Sequence, residues 1–313
     1  MTHRKVILDC DPGHDDAISI IIAASAQSNL DILGITTVAG NVEVDKNTIN
    51  ALKVKDLLKL NVPVVQGAAR PLVKASEIAT EIHGESGMDG PVLPDPKSQK
   101  EEGHAVDFII DQVKKADGKV RLVPTGPLTN IAMALIKAPE IKSDVEEIVL
   151  MGGGTFGNWT PSAEFNIYVD AEAAKVVFNS GIPVTMFGLD VTHQVIATDE
   201  IQKRLAGINN PTAKFVSELL VFFGDMYKEH FGMSGGPIHD ACTTMYLLDP
   251  DLFTFKHVHA DVETKGELTY GETVVDLLGV TGKPANTNFA YEVDQEKFWN
   301  LFEAILKAYD EEE

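Results

Sequence analysis

Short apolar runs rich in Val, Ile and Leu alternate with amphipathic stretches along most of this chain, and that alternation limits the fold more than any other feature. "KVILDC" precedes a helix expected to start near Asp15, and "LDILGITTV" precedes one from about Asp45 to Leu60. "VPVVQG" leads into a long loop, residues 67 to 103, and then the helical "HAVDFIIDQVKKA". "KVRLVPTG" precedes "LTNIAMALIK", "EEIVLMGGG" precedes a loop and "AEAAKVVFNSG", and "IPVTMFGLD" follows. Apolar strands separated by helices imply an α/β fold with an open, mostly parallel sheet flanked by helices on both faces. Residues 212 to 231 read as a long helix, 253 to 293 as antiparallel strands and 295 to 309 as a closing helix. There is no internal repeat or low-complexity linker, so one domain over 1–313 is expected.

In open α/β sheets the ligand crevice lies beyond the carboxyl ends of the strands. Six unusual segments fall at such positions: "DCDPGHDD" (9 to 16), "AGN" (39 to 41), "IHGESGMDG" (82 to 90), "TGPLTN" (125 to 130), "MGGGTFGNWTPSAEFN" (151 to 166) and "GGPIHDA" (235 to 241). The first holds four aspartates in eight residues. Helix N-capping accounts for Asp15 or Asp16, because free N–H groups and the helix dipole favour a carboxylate there by about 0.3–1 kcal/mol. It does not account for Asp11 at the same turn. Clustered carboxylates without thiolates suit a hard cation such as Ca²⁺ or Mg²⁺.

A strand ending in D-x-D also opens the haloacid-dehalogenase phosphatases, but that chemistry needs cationic or helix-terminal phosphate handling. None of the six segments contains Lys or Arg, so an uncharged ligand is expected. The run Gly152-Gly153-Gly154 lacks the rest of a P-loop or dinucleotide fingerprint and reads as a tight backbone approach. Asn41, Asn130, Asn158, Glu164 and Asn166 are groups that grip hydroxyls, as on a sugar. His83 and His239 stand in neighbouring loops, able to act as acids or to hydrogen-bond a leaving group.

The net charge of −21 opposes binding to nucleic-acid backbones or anionic membranes. The apolar run at the start is broken by Asp9, and no later stretch is long enough to span a bilayer. Two cysteines, Cys10 and Cys242, form no disulfide framework and read as small buried hydrophobes. A cytoplasmic location is the expectation. The tail "YDEEE" reads as a solvated end.

Together "DCDPGHDDA", "AGN", "HGESGMDGP", "VPTGPLTN", "AEFNIYVD" and "GGPIHDA" resemble the inosine/uridine nucleoside hydrolases, in order and through nearly the whole chain. The histidine in "DPGHDD", with "HAVDFIIDQV" and "GKPANT", looks most like the pyrimidine-specific ribonucleoside hydrolases. The resemblance implies a Rossmann-like core, a homo-tetramer or homo-dimer, a bound Ca²⁺, and cleavage of a small-molecule ribonucleoside to base and ribose. It implies Asp11 as calcium ligand and general base, with Asp16, Asp240 and the Thr125 carbonyl as further ligands. Asp15, Asn41, Glu164 and Asn166 would hold the ribose 2′- and 3′-hydroxyls and Asn158 the 5′-hydroxyl, with Met151 beneath the sugar. His83 and His239 would lie on the base side. One departure concerns Phe231, where some relatives carry a tyrosine near the leaving base. Tyr227, one turn earlier on the same helix face, is the candidate replacement. A non-catalytic, calcium-containing nucleoside-binding protein is the rival reading, and Asp11 argues against it, since a structural ion needs no base.

A rim without cations in a chain of charge −21 gives a phosphate no partner and a repulsive field. Uridine should therefore be cleaved and uridine 5′-monophosphate should not, as read by free uracil. Equal efficiency on the two would remove the inference of an uncharged ligand.

Overall fold

The computed structural model describes residues 4–309; the acidic tail beyond Tyr309 lies outside the described residues. Its strands are β1 (Arg4–Cys10), β2 (Leu30–Thr37), β3 (Val64–Gln66), β4 (Val120–Pro124), β5 (Val145–Met151), β6 (Val184–Phe187), β7 (Ile196–Thr198), β8 (Gly235–Pro237), β9 (Phe253–Val262), β10 (Thr273–Asp276) and β11 (Thr287–Val293). Nine of these form one sheet in the order β10-β9-β11-β6-β5-β4-β1-β2-β3, and β7 pairs with β8 separately. From β3 to β6 every neighbour is parallel, which gives the spatial order 3-2-1-4-5-6 of a doubly wound fold. β11 extends the parallel part by pairing parallel to β6, while β9 and β10 are antiparallel. The antiparallel expectation for 253 to 293 holds, since β9 pairs antiparallel with both β10 and β11; β11 in addition pairs parallel with β6. β11 is reached through the long β9–β10 excursion, and β6 is a partner far away in sequence.

The helices are α1 (His14–Ala24), α2 (Val44–Leu57), α3 (Thr80–His83), α4 (Ala105–Lys115), α5 (Thr129–Lys137), α6 (Phe165–Val169), α7 (Ala171–Phe178), α8 (Leu189–Thr192), α9 (Asp199–Leu205), α10 (Pro211–Phe231), α11 (Ala241–Leu248) and α12 (Gln295–Ala308). α4 shows why they form. Ala105, Val106, Ile109, Ile110 and Val113 recur at helical spacing and are buried, while Asp107, Asp111 and Lys114 face out. Each large aliphatic side chain buried this way contributes about 1.5–3 kcal/mol. α1, α10, α11 and α12 pack in one core, and α4, α5 and α7 pack in the other, on the opposite side of the sheet. Both cysteines are free and buried. No helix among the described residues is long and apolar enough to cross a membrane.

This topology positions the site. β1 leads to α1 and β2, while β4 leads the other way to β5, so the connections diverge between β1 and β4 and open a crevice there. Asp11 follows β1, Asn41 follows β2, Thr125 follows β4, and Met151 ends β5.

Candidate active site

A cavity of about 370 Å³ opens at this crevice. Its lining includes Asp15, Asn41, His83, Thr125, Met151, Asn158, Glu164, Asn166, Tyr227, Phe231, His239 and Asp240. Of the site residues expected from the sequence, Asp11, Asp16 and Asn130 are not on this wall. No Lys or Arg lines the cavity among the described residues.

The carboxylates come from chain turns that supply N–H donors. Asp16, in the first turn of α1, accepts from the Gly13 N–H at 3.0 Å, from Thr125 Oγ1 at 2.8 Å and from Asn41 Nδ2 at 3.3 Å. Asp240 is the residue at which α11 begins. Asp15, Asp16 and Asp240 each offer an oxygen within 4.8 Å of the others. Asp11 adjoins this trio without being part of it. The Asn41 N–H binds its Oδ2 at 2.7 Å and so holds it to the β2 side, while the Asp11 N–H donates to Asp16 at 3.3 Å. Asp11 Oδ1 is buried with no hydrogen-bond partner among the described residues. A Cβ on Gly40 or Gly126 would collide with the Asp11 carboxylate, so both close approaches require glycine.

Burial pushes all four of these carboxyls up, and their mutual repulsion adds to it for Asp11, Asp15 and Asp240. Asp15 reaches about 8. A divalent cation answers both causes at once. The donor set (aspartate oxygens, one of them orphaned, beside the Thr125 carbonyl, with no cationic side chain) fits a hard ion.

Opposite the aspartates, Glu164 begins α6 and accepts from the N–H groups of Gly153 (2.9 Å), Asn166 (3.0 Å) and Ile167 (3.2 Å). Gly153 can present its N–H because its φ is +74°, a left-handed conformation that favours glycine. The tight backbone approach read from the glycine run is thus a cradle for Glu164. Asn166 donates to the Thr125 carbonyl at 2.7 Å, and Asn158 accepts from the Phe165 N–H at 3.0 Å, so both amides have fixed orientation. Asn130 differs from its expected role. It donates to Asp9 and to the Thr37 carbonyl and accepts from the Ala68 N–H, which ties strand ends together and leaves it off the cavity wall.

The far side is aromatic. Tyr227 is 5% exposed and Phe231 44%, and their rings are 5.0 Å apart on one face of α10. The Tyr227 hydroxyl meets His239 Nε2 at 2.8 Å, and His239 Nδ1 meets Thr192 Oγ1 at 2.8 Å. His83 Nδ1 faces His14 Nδ1 at 3.2 Å. Burial holds both His83 and His239 well below the usual histidine range. Trp159, Phe165 and Phe223 also line the cavity. The sequence reading missed them, together with His14 and Thr192 behind the wall. Trp159 and Phe165 lie inside the segment 151 to 166, where Phe165 directly separates Glu164 from Asn166.

The model of the inosine-uridine preferring nucleoside hydrolase family matches residues 6–300. The chain belongs to this family. It is similar to the pyrimidine-specific ribonucleoside hydrolase RihA of Shewanella woodyi, at 49% identity over 98% of this chain and 99% of that protein. The corresponding hydrolase RihB of Escherichia coli is 47% identical over 99% of both chains. Among solved structures, a purine-preferring ribonucleoside hydrolase from Gardnerella vaginalis superposes with a TM-score of 0.90 at 38% identity, over 97% of this chain and 98% of that one. The chain is thus an enzyme that hydrolyses an N-ribosyl bond.

Burial raises Glu164 to about 7, against three backbone hydrogen bonds that lower it. A carboxyl that keeps its proton longer when folded stabilises the fold below its unfolded pKa, and that contribution is lost as pH rises through the folded value. The window runs from about 4.5 to about 7. Glu164→Gln should therefore flatten the fall of melting temperature between pH 5 and 8 in chelator-treated protein. A wild-type slope left intact in the variant would show that Glu164 is not its source.

Proposed function

We propose that this enzyme hydrolyses pyrimidine ribonucleosides, uridine and cytidine, to free base and ribose with the help of a bound calcium ion. One observation carries the reading: buried carboxylates and oriented amides face each other across a cavity lined, among the described residues, by no Lys or Arg. Relatives 47–49% identical over nearly the full chain, named pyrimidine-specific, support the choice of base.

Asp11, Asp16, Asp240 and the Thr125 carbonyl would hold the calcium. When bound, it supplies the counter-charge for the aspartates and makes an adjacent water more acidic. Asp15, Asn41, Glu164 and Asn166 bind the ribose 2′- and 3′-hydroxyls, Asn158 takes the 5′-hydroxyl, and Met151 supports the sugar face. Asp11 accepts the proton of the attacking water at Oδ1, the oxygen left without a partner. The C1′–N bond breaks with oxocarbenium character, and Glu164 faces the charge that grows on the ribose.

The leaving base needs a proton or a hydrogen bond. Burial disfavours an imidazolium at His239, so His239 acts through its neighbour. With the Thr192 hydroxyl donating to Nδ1, His239 donates from Nε2 to the Tyr227 oxygen, and the Tyr227 proton is then free to meet the base. Tyr227 fills the role that Phe231, lacking a hydroxyl, cannot.

Two outcomes test these assignments. Asp11→Asn should lower turnover of uridine by several orders of magnitude with the melting curve of a folded protein, and chelation should abolish turnover reversibly. Near wild-type release of uracil by Asp11→Asn would refute the general-base role. Tyr227→Phe and His239→Ala should each slow uridine hydrolysis by about 10²- to 10⁴-fold, the range for a general acid. Cleavage of a nitrophenyl riboside, whose leaving group departs as a stable anion, should barely change. Equal losses on both substrates would instead tie the pair to the ribose or the ion.

A further inference from the structure

His83 and His239 look equivalent in the sequence, since each is a histidine beside the base, but their surroundings differ. His14 is fully buried and stacks on Phe222 and Phe223, with ring centroids 5.1 and 5.2 Å away. Its Nε2 lies 2.7 Å from the backbone carbonyl of Asp89. A carbonyl has no proton to give, so His14 holds its hydrogen on Nε2. A second proton would place a buried imidazolium between two phenylalanine rings, out of reach of water. His14 Nδ1 is therefore a bare acceptor, and the atom facing it at 3.2 Å is His83 Nδ1. The contact needs one hydrogen, and only His83 can supply it. The opposite tautomer of His83 would oppose two lone pairs at that distance.

The geometry points to a tautomer lock: the Asp89 carbonyl, acting through His14, fixes His83 with its hydrogen on Nδ1 and a bare Nε2 toward the cavity, so that His83 selects bases offering an N–H donor. His83 lines the cavity, and its Nε2 has no protein partner among the described residues. The lock is anchored at both ends. The Asp89 carboxylate accepts from the Glu85 and Ser86 N–H groups, and Asn50 Nδ2 bridges the Pro12 and Ser86 carbonyls. Gly13 has no side chain to push the His83 ring away, since a Cβ there would strike Nδ1. In this arrangement His83 recognises the base and gives it no proton. Uracil presents N3–H and cytosine its exocyclic amine. His14 is a positioning residue, acting only through His83.

This inference rests on the nucleoside hydrolase reading of the same cavity, and the test separates the two. Long-range ¹H–¹⁵N spectra of the calcium-loaded enzyme, labelled at histidine nitrogen, report each tautomer directly; His14→Phe and His83→Phe assign the signals. The expected pattern is Nδ1–H with bare Nε2 for His83, and the reverse for His14. Nε2–H on His83 would overturn the lock. Kinetically, wild type should favour uridine over 3-methyluridine, which lacks the donor, by about 10- to 100-fold, the range for an unpaired buried acceptor. In His14→Phe, which keeps the stacking but frees the His83 tautomer, that ratio should shrink several-fold. Taking the ratio within each protein cancels any general loss of activity. A ratio unchanged by His14→Phe, or near one in wild type, would also overturn the proposal. If wild type released neither uracil nor nitrophenol from its riboside, the hydrolase reading itself would fail, whatever the tautomer.

Discussion

Four carboxylates held together out of water set the terms for the rest of this structure. Asp11, Asp15, Asp16 and Asp240 repel one another and lose hydration, and no Lys or Arg of the cavity wall offsets either cost. The fold answers with fixed dipoles. Asp15 and Asp16 open α1, Asp240 opens α11, and the N–H groups of Gly13 and Asn41 each bind one aspartate oxygen. Packing of α11 against α1 brings helix starts from residues 14 and 241 to one place.

The cavity divides into two halves built by different means. On the side proposed to hold the ribose, Glu164 is fixed by three N–H groups, Asn166 by the Thr125 carbonyl and Asn158 by the Phe165 N–H. The base side rests on α10, α3 and the loop after α3, elements inserted outside the simple strand–helix alternation. Substitutions confined to α3 or α10 therefore alter this side without touching a strand of the sheet. This agrees with a TM-score of 0.90 to a hydrolase named for purines, alongside greater identity to two named for pyrimidines.

What could be read from sequence follows the same division. Strands and helices with internal periodicity were legible, as were polar residues clustered in short segments, because both signals are local. Partners distant in sequence were not. The added pairing of β11 with β6 joins Thr287 to Val184, and the pairing of His14 with His83 spans 69 residues. His14 lies inside "DCDPGHDD", yet its proposed function depends on where the Asp89 carbonyl falls. Thr192 lies in a four-residue helix with no polar cluster to mark it. Asn130 misled for the converse reason: it shares a segment with Thr125, and only its three hydrogen bonds reveal that it faces away.

Asp9 and Asn130 explain why one aspartate of the D-x-D pair stays out of the chemistry. β1 ends at Cys10, so Asp11 lies beyond the strand and is not held to the face that the period-2 pattern would have it share with Asp9. Asp9 Oδ1 instead accepts from Thr36 Oγ1 at 2.6 Å and from Asn130 Nδ2 at 2.8 Å. Asn130 also reaches the Thr37 carbonyl and the Ala68 N–H, so a single amide ties together β1, β2 and the segment after β3. A lysine would bind Asp9 more strongly but could not accept from Ala68. It would also bring a fixed positive charge toward the aspartate cluster, in competition with the divalent ion proposed to bind there. A neutral amide joins the strand ends without that competition. The cost is carried by Asp9, raised by burial to about 7 with its second oxygen unpaired among the described residues.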